Sequence, residues 1–246
     1  MIDSMSVTFL ERYQNGDLRA VWLEIQNLRE SELDPVTLKD VRAVTLETMQ
    51  RIKQNLELIV KRLQAIGFEF CAENIDGRFE DQNDPLKPLE NASKTLEQIS
   101  NAVSGPLPLT FRMFAEVIGE VDLRGRHEQF VSGYLIDALV VWIYVPERSE
   151  VEDYLEYFHE NFTEGEAKYE HAFAPNDFHK ENVSGGAPYS IVLPDDRIDP
   201  PVVVLGFEGT LIEYLRECIL RFACFPGFAD IPTDLLEHLR ADLVAF

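Results

Sequence analysis

The stretch SGPLPLTFRMFAEVIGEVDLRG, Ser104 to Gly125, decides how the rest of the chain is read. Ser104-Gly105-Pro106-Leu107-Pro108 interrupts whatever precedes it, and Pro108 suits a first helical position, where a missing N–H costs little. The helix that follows places Met113, Phe114, Val117 and Ile118 at three- and four-residue spacing, an apolar stripe that must face a core. Gly119 supplies a left-handed helix stop, and Val121 to Leu123 reads as a short strand. Upstream the pattern is helical; downstream, strands and short helices alternate. The chain therefore reads as α+β: an N-terminal helical hairpin or small bundle, then a mixed, mostly antiparallel sheet flanked by helices.

Working upstream, Met5 to about Leu28 reads as helix with a break at Asn15-Gly16-Asp17. Asp34-Pro35 signals the start of a long helix running to Ile66, stopped by Gly67. Its later part carries apolar residues at 49, 52, 56, 59, 63 and 66, the alternating spacing of a heptad seam. At 1.5 Å per residue it extends roughly 45 Å and needs cover along that length. The preceding helices are the expected cover and a second copy of the chain the alternative, so a monomer or a weak dimer through these helices is expected. Phe68 to Cys71 reads as a short strand, and Asp76 to Pro88 (DGRFEDQNDPLKP) as a polar linker. The expected organisation is thus an N-terminal helical region over 1–75, a linker over 76–88 and an α+β domain over 89–246. That domain opens with a helix from Leu89 to Val103.

Downstream, Ala138 to Val145 (ALVVWIYV) reads as a buried central strand, and Tyr169–Ala174, Tyr189–Leu193 and Val202–Leu205 as further strands. An acidic loop, Pro194 to Pro201, separates the last two. A helix spans Gly209 to Ala223, with Thr210 and Glu213 spaced for a capping box, and Thr233 to Leu243 forms a last short helix.

Charge narrows the function. The 246 residues hold 44 acidic and 22 basic side chains, net −22. Residues 1–67 contribute 10 acids and 9 bases, so residues 68–246 carry almost the whole excess. Nucleic-acid binding is disfavoured, because phosphate contacts need Lys and Arg, whereas a basic protein partner would be drawn in by such a field. No run of about 18 apolar residues occurs, so no membrane span is expected. The start lacks a secretory pattern, and Cys71, Cys218 and Cys224 have no metal-like spacing; buried free thiols in a cytoplasmic protein are expected.

The order of elements carries a resemblance. Leu107-Pro108-Leu109-Thr110-Phe111-Arg112-Met113-Phe114 and Thr210-Leu211-Ile212-Glu213-Tyr214-Leu215 bracket strands with an acidic middle. This resembles the SMI1/KNR4-like (SUKH) superfamily, whose members begin with a Leu-Pro-x-x-Phe/Tyr-x-x-Phe helix and end with a Ser/Thr-Phe-x-x-Phe/Tyr-Leu helix. The likeness spans about residues 104–224. It implies an α+β domain that binds rather than catalyses: in bacteria, an immunity protein neutralising a toxin, commonly a basic nuclease, or a regulatory interaction module.

Two sets of residues stand out as sites. Glu147 to Glu170 holds nine acids, and Val151, Tyr154, Leu155, Phe158 and Phe162 form one apolar stripe, so this is an amphipathic helix with an acidic outer face. Glu150, Glu152, Asp153, Glu156 and Glu160 are the expected protein-binding residues. The alternative is a ligand or hydrolase-like site in the polar cluster of Asp177, His179 and Lys180 with Ser184, Gly185 and Gly186, where a Gly-Gly turn can aim N–H groups at an anion. There Ser184 would need His171 or His179 as its base. Glu156 and His159 have the Glu-x-x-His spacing that makes up half of a di-iron site, but no second copy of the motif occurs, so no metal and no cofactor is expected. No Gly-x-Ser-x-Gly, Walker A, Gly-x-Gly-x-x-Gly or His-Glu-x-x-His motif is present, and no catalysis is expected. Phe225, Phe228 and Trp142 are the other aromatic candidates for an exposed binding face.

Overall fold

The computed structural model describes residues 7–73, 79–81, 84–128, 130, 137–161, 168–180, 183–226 and 231–246. Helices α1 (Phe9–Gln14) and α2 (Leu18–Ile25) are separated at Gly16 (φ 98°), where the sequence places the break. Asp40 accepts from the N–H groups of Phe9 (2.6 Å) and Leu10 (3.2 Å), fixing α1 to the long helix that follows.

That helix, α3 (Pro35–Ala65), starts as the sequence requires. Asp34 accepts from the N–H groups of Val36 and Thr37, Pro35 takes the first turn, and Gly67 (φ 86°) follows the end. Met49, Ile52, Leu56, Ile59 and Leu63 on its seam are fully buried. The cover differs from expectation. α1 packs on α3, but so do α5 (Leu109–Val117), α9 (Thr233–Arg240) and the π-helical turn Glu217–Arg221. One apolar core runs from Tyr13 and Trp22 through the α3 seam to Phe111, Ile191 and Leu215. The helical region 1–75 therefore shares its interior with 89–246. Within 76–88, strands β2 (Phe79–Asp81) and β3 (Leu86–Lys87) are paired into sheets, so the described part of that segment is built into the fold instead of bridging two bodies.

Polar side chains on α3 fasten the C-terminal segment. Buried Asn55 donates through Nδ2 to Val244 O (2.8 Å) and accepts from Val244 N (2.7 Å). Arg51 reaches Ala245 O, and Arg62 reaches the carbonyls of Leu239 and Ala241. Replacing Asn55 with leucine removes both bonds and strands two main-chain groups. We expect a loss of about 2–4 kcal/mol in urea unfolding; a loss within error of zero would mean that the C-terminal segment is not held this way.

The protein is α+β, with its strands divided among three small antiparallel sheets in place of one. Their orders are β2-β1-β5, β3-β4-β6 and β7-β8-β9, with β1 at Glu69–Glu73, β4 at Glu120–Asp122, β5 at Gly125–Arg126, β6 at Val140–Val141, β7 at Tyr169–Ala174, β8 at Tyr189–Leu193 and β9 at Val202–Val203. The expected central strand Ala138–Val145 contracts to two residues because its N–H groups go to three different neighbours. Leu139 N–H bonds Cys224 O (2.7 Å), β6 pairs with β4, Trp142 N–H bonds Phe173 O (2.6 Å), and Ile143 N–H bonds the Glu120 carboxylate (3.2 Å). The run is a junction between sheets, and its buried side chains, Leu139, Val140, Val141 and Ile143, explain its apolar composition.

The helix expected from Leu89 forms as α4 (Ala92–Ala102), and the opening stretch behaves as read except that Pro108 sits at the N-cap of α5, in extended backbone, one residue before the first helical position. α5 is followed by Gly119 (φ 90°), whose missing Cβ would lie 2.3 Å from Lys87 O. Helix α8 (Leu211–Arg216) has its capping box, with Glu213 N–H on Thr210 Oγ1 and Thr210 N–H on Glu213 Oε2 (3.0 Å). Unlike the expected continuous helix to Ala223, it passes into the π-helical turn and ends at Ala223 and Cys224, both in left-handed backbone (φ 49° and 76°). Cys71, Cys218 and Cys224 are buried and form no disulfide with one another.

Candidate functional site

Helix α6 (Arg148–Asn161) is amphipathic in the manner expected. Val151 is buried, and Tyr154, Leu155 and Phe158 are half-buried toward β7, with the Tyr154 ring edge-on to Tyr169 at 5.4 Å. Phe162 lies outside the described residues. On the other side Glu150, Glu152, Asp153, Glu156 and Glu160 are all exposed. They are not equivalent. Glu150 accepts from Tyr144 OH (2.5 Å) and from Glu147 N–H (2.8 Å), so it closes the first turn of the helix. These bonds hold its carboxyl below the usual range and push the Tyr144 hydroxyl up to about 12. Glu152 is paired with Arg148 (2.9 Å). Asp153, Glu156 and Glu160 make no ion pair among the described residues, and between them stands Tyr157, 61% exposed.

The alternative cluster divides. A short helix, α7 (Asp177–Lys180), is capped by buried Asn176, whose Oδ1 accepts from His179 N–H (2.9 Å) while its Nδ2 donates to Gly185 O (2.9 Å). Gly186 (φ 69°) closes over the same amide: a Cβ there would lie 1.9 Å from Asn176 Nδ2. The Gly-Gly turn is thus spent on folding the loop back onto Asn176. Asp177, Ser184, Gly185 and Gly186 remain near the surface, and His179 is exposed. Lys180 turns the other way. Its side chain has no exposure, it pairs with Asp137, and its ammonium stands 4.6 Å from the Tyr189 ring centre. Tyr189 OH donates to the second Asp137 oxygen (3.1 Å). Lys180 is therefore part of a buried ionic core and does not face a ligand beside His179.

A groove of about 840 Å³ does border this loop. Asn176, Asp177, Phe178 and Gly186 form one wall and Val203 to Glu208 the other, with Leu205 at 89% exposure on the tip of the turn. Its lining is mainly apolar and lacks Ser184, His179 and Lys180.

The serine hydrolase pieces are apart. No hydrogen bond joins the exposed Ser184 to His171 or His179 among the described residues. His171 is fully buried against Phe111, Tyr144 and Tyr169, and neither ring nitrogen has a partner among the described residues. Burial pushes it down to about 4. Glu156 and His159 are exposed, and the described residues contain no group of three or more ligating side chains that could hold a metal. Of the aromatic candidates, Phe225 is buried, Trp142 is partly exposed beneath the Arg124 guanidinium, and Phe228 lies outside the described residues.

Sequence reasoning missed the polar centre around Asp199. This residue, in the acidic loop 194–201, is 1% exposed and accepts from Thr110 Oγ1 (3.0 Å) and Ile212 N–H (3.3 Å). Its own N–H reaches Gln26 O, Thr110 N–H bonds Ile198 O, and Leu211 N–H bonds Pro200 O. The Leu-Pro helix and the Thr-capped helix, picked out separately, thus start at one buried carboxyl. Burial pushes that carboxyl up to about 7 against the bonds that favour its charge.

Comparison with protein-family models, with curated proteins and with solved structures finds no match to this chain. The described residues contain no helix long and apolar enough to cross a membrane.

Proposed function

We propose that this protein is a non-catalytic binding module that captures a basic protein on the outer face of α6. One observation carries the reading: Glu152, Glu156 and Glu160 stand in a row at four-residue spacing, exposed, with Asp153 and Tyr157 beside them. Like charges so placed cost a helix about 0.2–0.5 kcal/mol a pair, and Arg148 offsets them at one end alone. A helix kept for packing alone would gain from a lysine in the middle of that row. What the row suits is a positively charged surface, with Tyr157 as an aromatic anchor. The resemblance of residues 104–224 to SUKH domains supports the same class of function. It extends the reading to an immunity-type protein that neutralises a basic, nuclease-like toxin in a bacterial cytoplasm.

The test separates binding from stability. Glu156→Lys turns two repulsions into two attractions, so it leaves the melting temperature unchanged or slightly raised. The same change is expected to weaken the partner captured by the wild-type protein about tenfold or more, and wild-type affinity should fall steeply with added salt. Equal affinity of the two proteins for that partner would overturn the proposal.

A further inference from the structure

A second groove, of about 560 Å³, lies where α2, α8, the π-helical turn, α9 and the C-terminal residues meet. Its volume falls within the roughly 300–1,000 Å³ usual for small-molecule sites. Arg19, Arg216, Arg221 and Arg240 line it, a concentration of positive charge at odds with a net charge of −22. Arg221 is held by Glu217 (2.5 Å). The other three are distinctive. Among the described residues, Arg19, Arg216 and Arg240 are the arginines that pair with no Asp or Glu side chain; every other described arginine does. With 44 carboxylates in the chain, unpaired arginines converging on one place are not a matter of supply.

The groove's acids are in part engaged elsewhere. Glu213 is engaged with Thr210 at the helix start and Glu217 with Arg221, which leaves the exposed Glu208. Arg216 donates through Nε to Phe246 O (2.6 Å), while its Nη2 is buried without a hydrogen-bond partner among the described residues. Burial lowers the affinity of Arg216 for its proton, against the opposing influence of Tyr13, Asp199 and Glu213, and the positive charge of Arg19 adds to the lowering. The rest of the lining is apolar: Leu18, Leu220, Phe207 and Phe246.

We infer that this groove binds a small amphipathic anion, a carboxylate or phosphate carried on a flat apolar body. Arg19 and Arg240 hold the charged head by charge-assisted hydrogen bonds, Arg216 adds positive potential behind them, and the body lies against Phe207 and Leu220. The site is separate from the acidic face of α6, so it stands or falls independently of the protein-binding role.

Phenyl phosphate, phenylacetate and inorganic phosphate serve as probes in calorimetric titrations of the full chain. Saturable one-to-one binding of either aromatic anion is expected, weakened about tenfold or more in R19Q/R240Q, and the tighter of the two identifies the head group. Both arginines are exposed, so the double variant should melt at the wild-type temperature. The inference is overturned if neither aromatic anion saturates, if inorganic phosphate binds as tightly as both, or if the double variant binds unchanged.

Discussion

Replacing Lys180 with methionine is expected to cost about 3–5 kcal/mol in equilibrium unfolding, a large share of the stability of an ordinary domain. The Lys180 side chain is wholly inaccessible, and its partner Asp137 is mostly buried as well. Removing the ammonium leaves a carboxylate in low dielectric with Tyr189 OH as its remaining hydrogen-bond partner among the described residues. The double variant K180M/D137L should regain most of the loss, because no unpaired charge is left behind. A single-variant cost below about 1 kcal/mol would show that water reaches the pair in solution. The result also bears on the loop at 176–186. His179, exposed beside it, can be changed without touching this pair, so loss of function in K180M alone would report unfolding and not ligand contact.

The pH dependence of stability should contain two opposed contributions. His171 sits at about 4, below its ordinary 6.5, because burial excludes the charged ring. The unfolded chain therefore binds the extra proton, and stability falls as pH drops from about 6.5 to about 4, by on the order of 3 kcal/mol. Asp199 does the reverse. Its carboxyl sits at about 7 against an ordinary 3.8, so its contribution is complete below about 4 and is lost as pH rises through 7, by on the order of 4 kcal/mol. Between pH 4 and 6.5 the two slopes largely cancel, which would make the wild-type profile deceptively flat. Separate variants expose them. Asp199→Asn should gain on the wild type progressively from pH 4 to 8, and His171→Leu should remove the acid-side fall. Urea unfolding of all three proteins at half-unit pH intervals decides the matter. A pH-independent difference between D199N and wild type would mean that Asp199 stays charged throughout, held by Thr110 and the start of α8.

The parts of this architecture that could be read in advance are those written in local chemistry. Asp34-Pro35 with Gly67 bounded α3 to within a residue or two, and Thr210 with Glu213 announced the start of α8. The acidic side of α6 followed from periodicity alone. What escaped is long-range. The apolar run at 138–145 looks like a strand whether its N–H groups meet one neighbour or three, since side-chain pattern reports burial and not partners. Lys180 reads as part of a ligand-facing cluster until Asp137, 43 positions away, is placed against it. Asp199 is one acid among several in its loop, and nothing nearby marks it as the carboxyl beneath two helix starts. The arginine-lined groove gathers residues from positions 19 to 240, each ordinary in its own segment.

Helix α3 has an implication for how such a molecule can be inherited or engineered. With one interior lying on several of its sides, the long helix acts as a mould on which both the early hairpin and the later helices are cast. Neither portion can be transplanted without carrying a copy of that mould, and drift at positions such as Ile52 or Ile59 has to be answered by compensating change on the far side of the polypeptide.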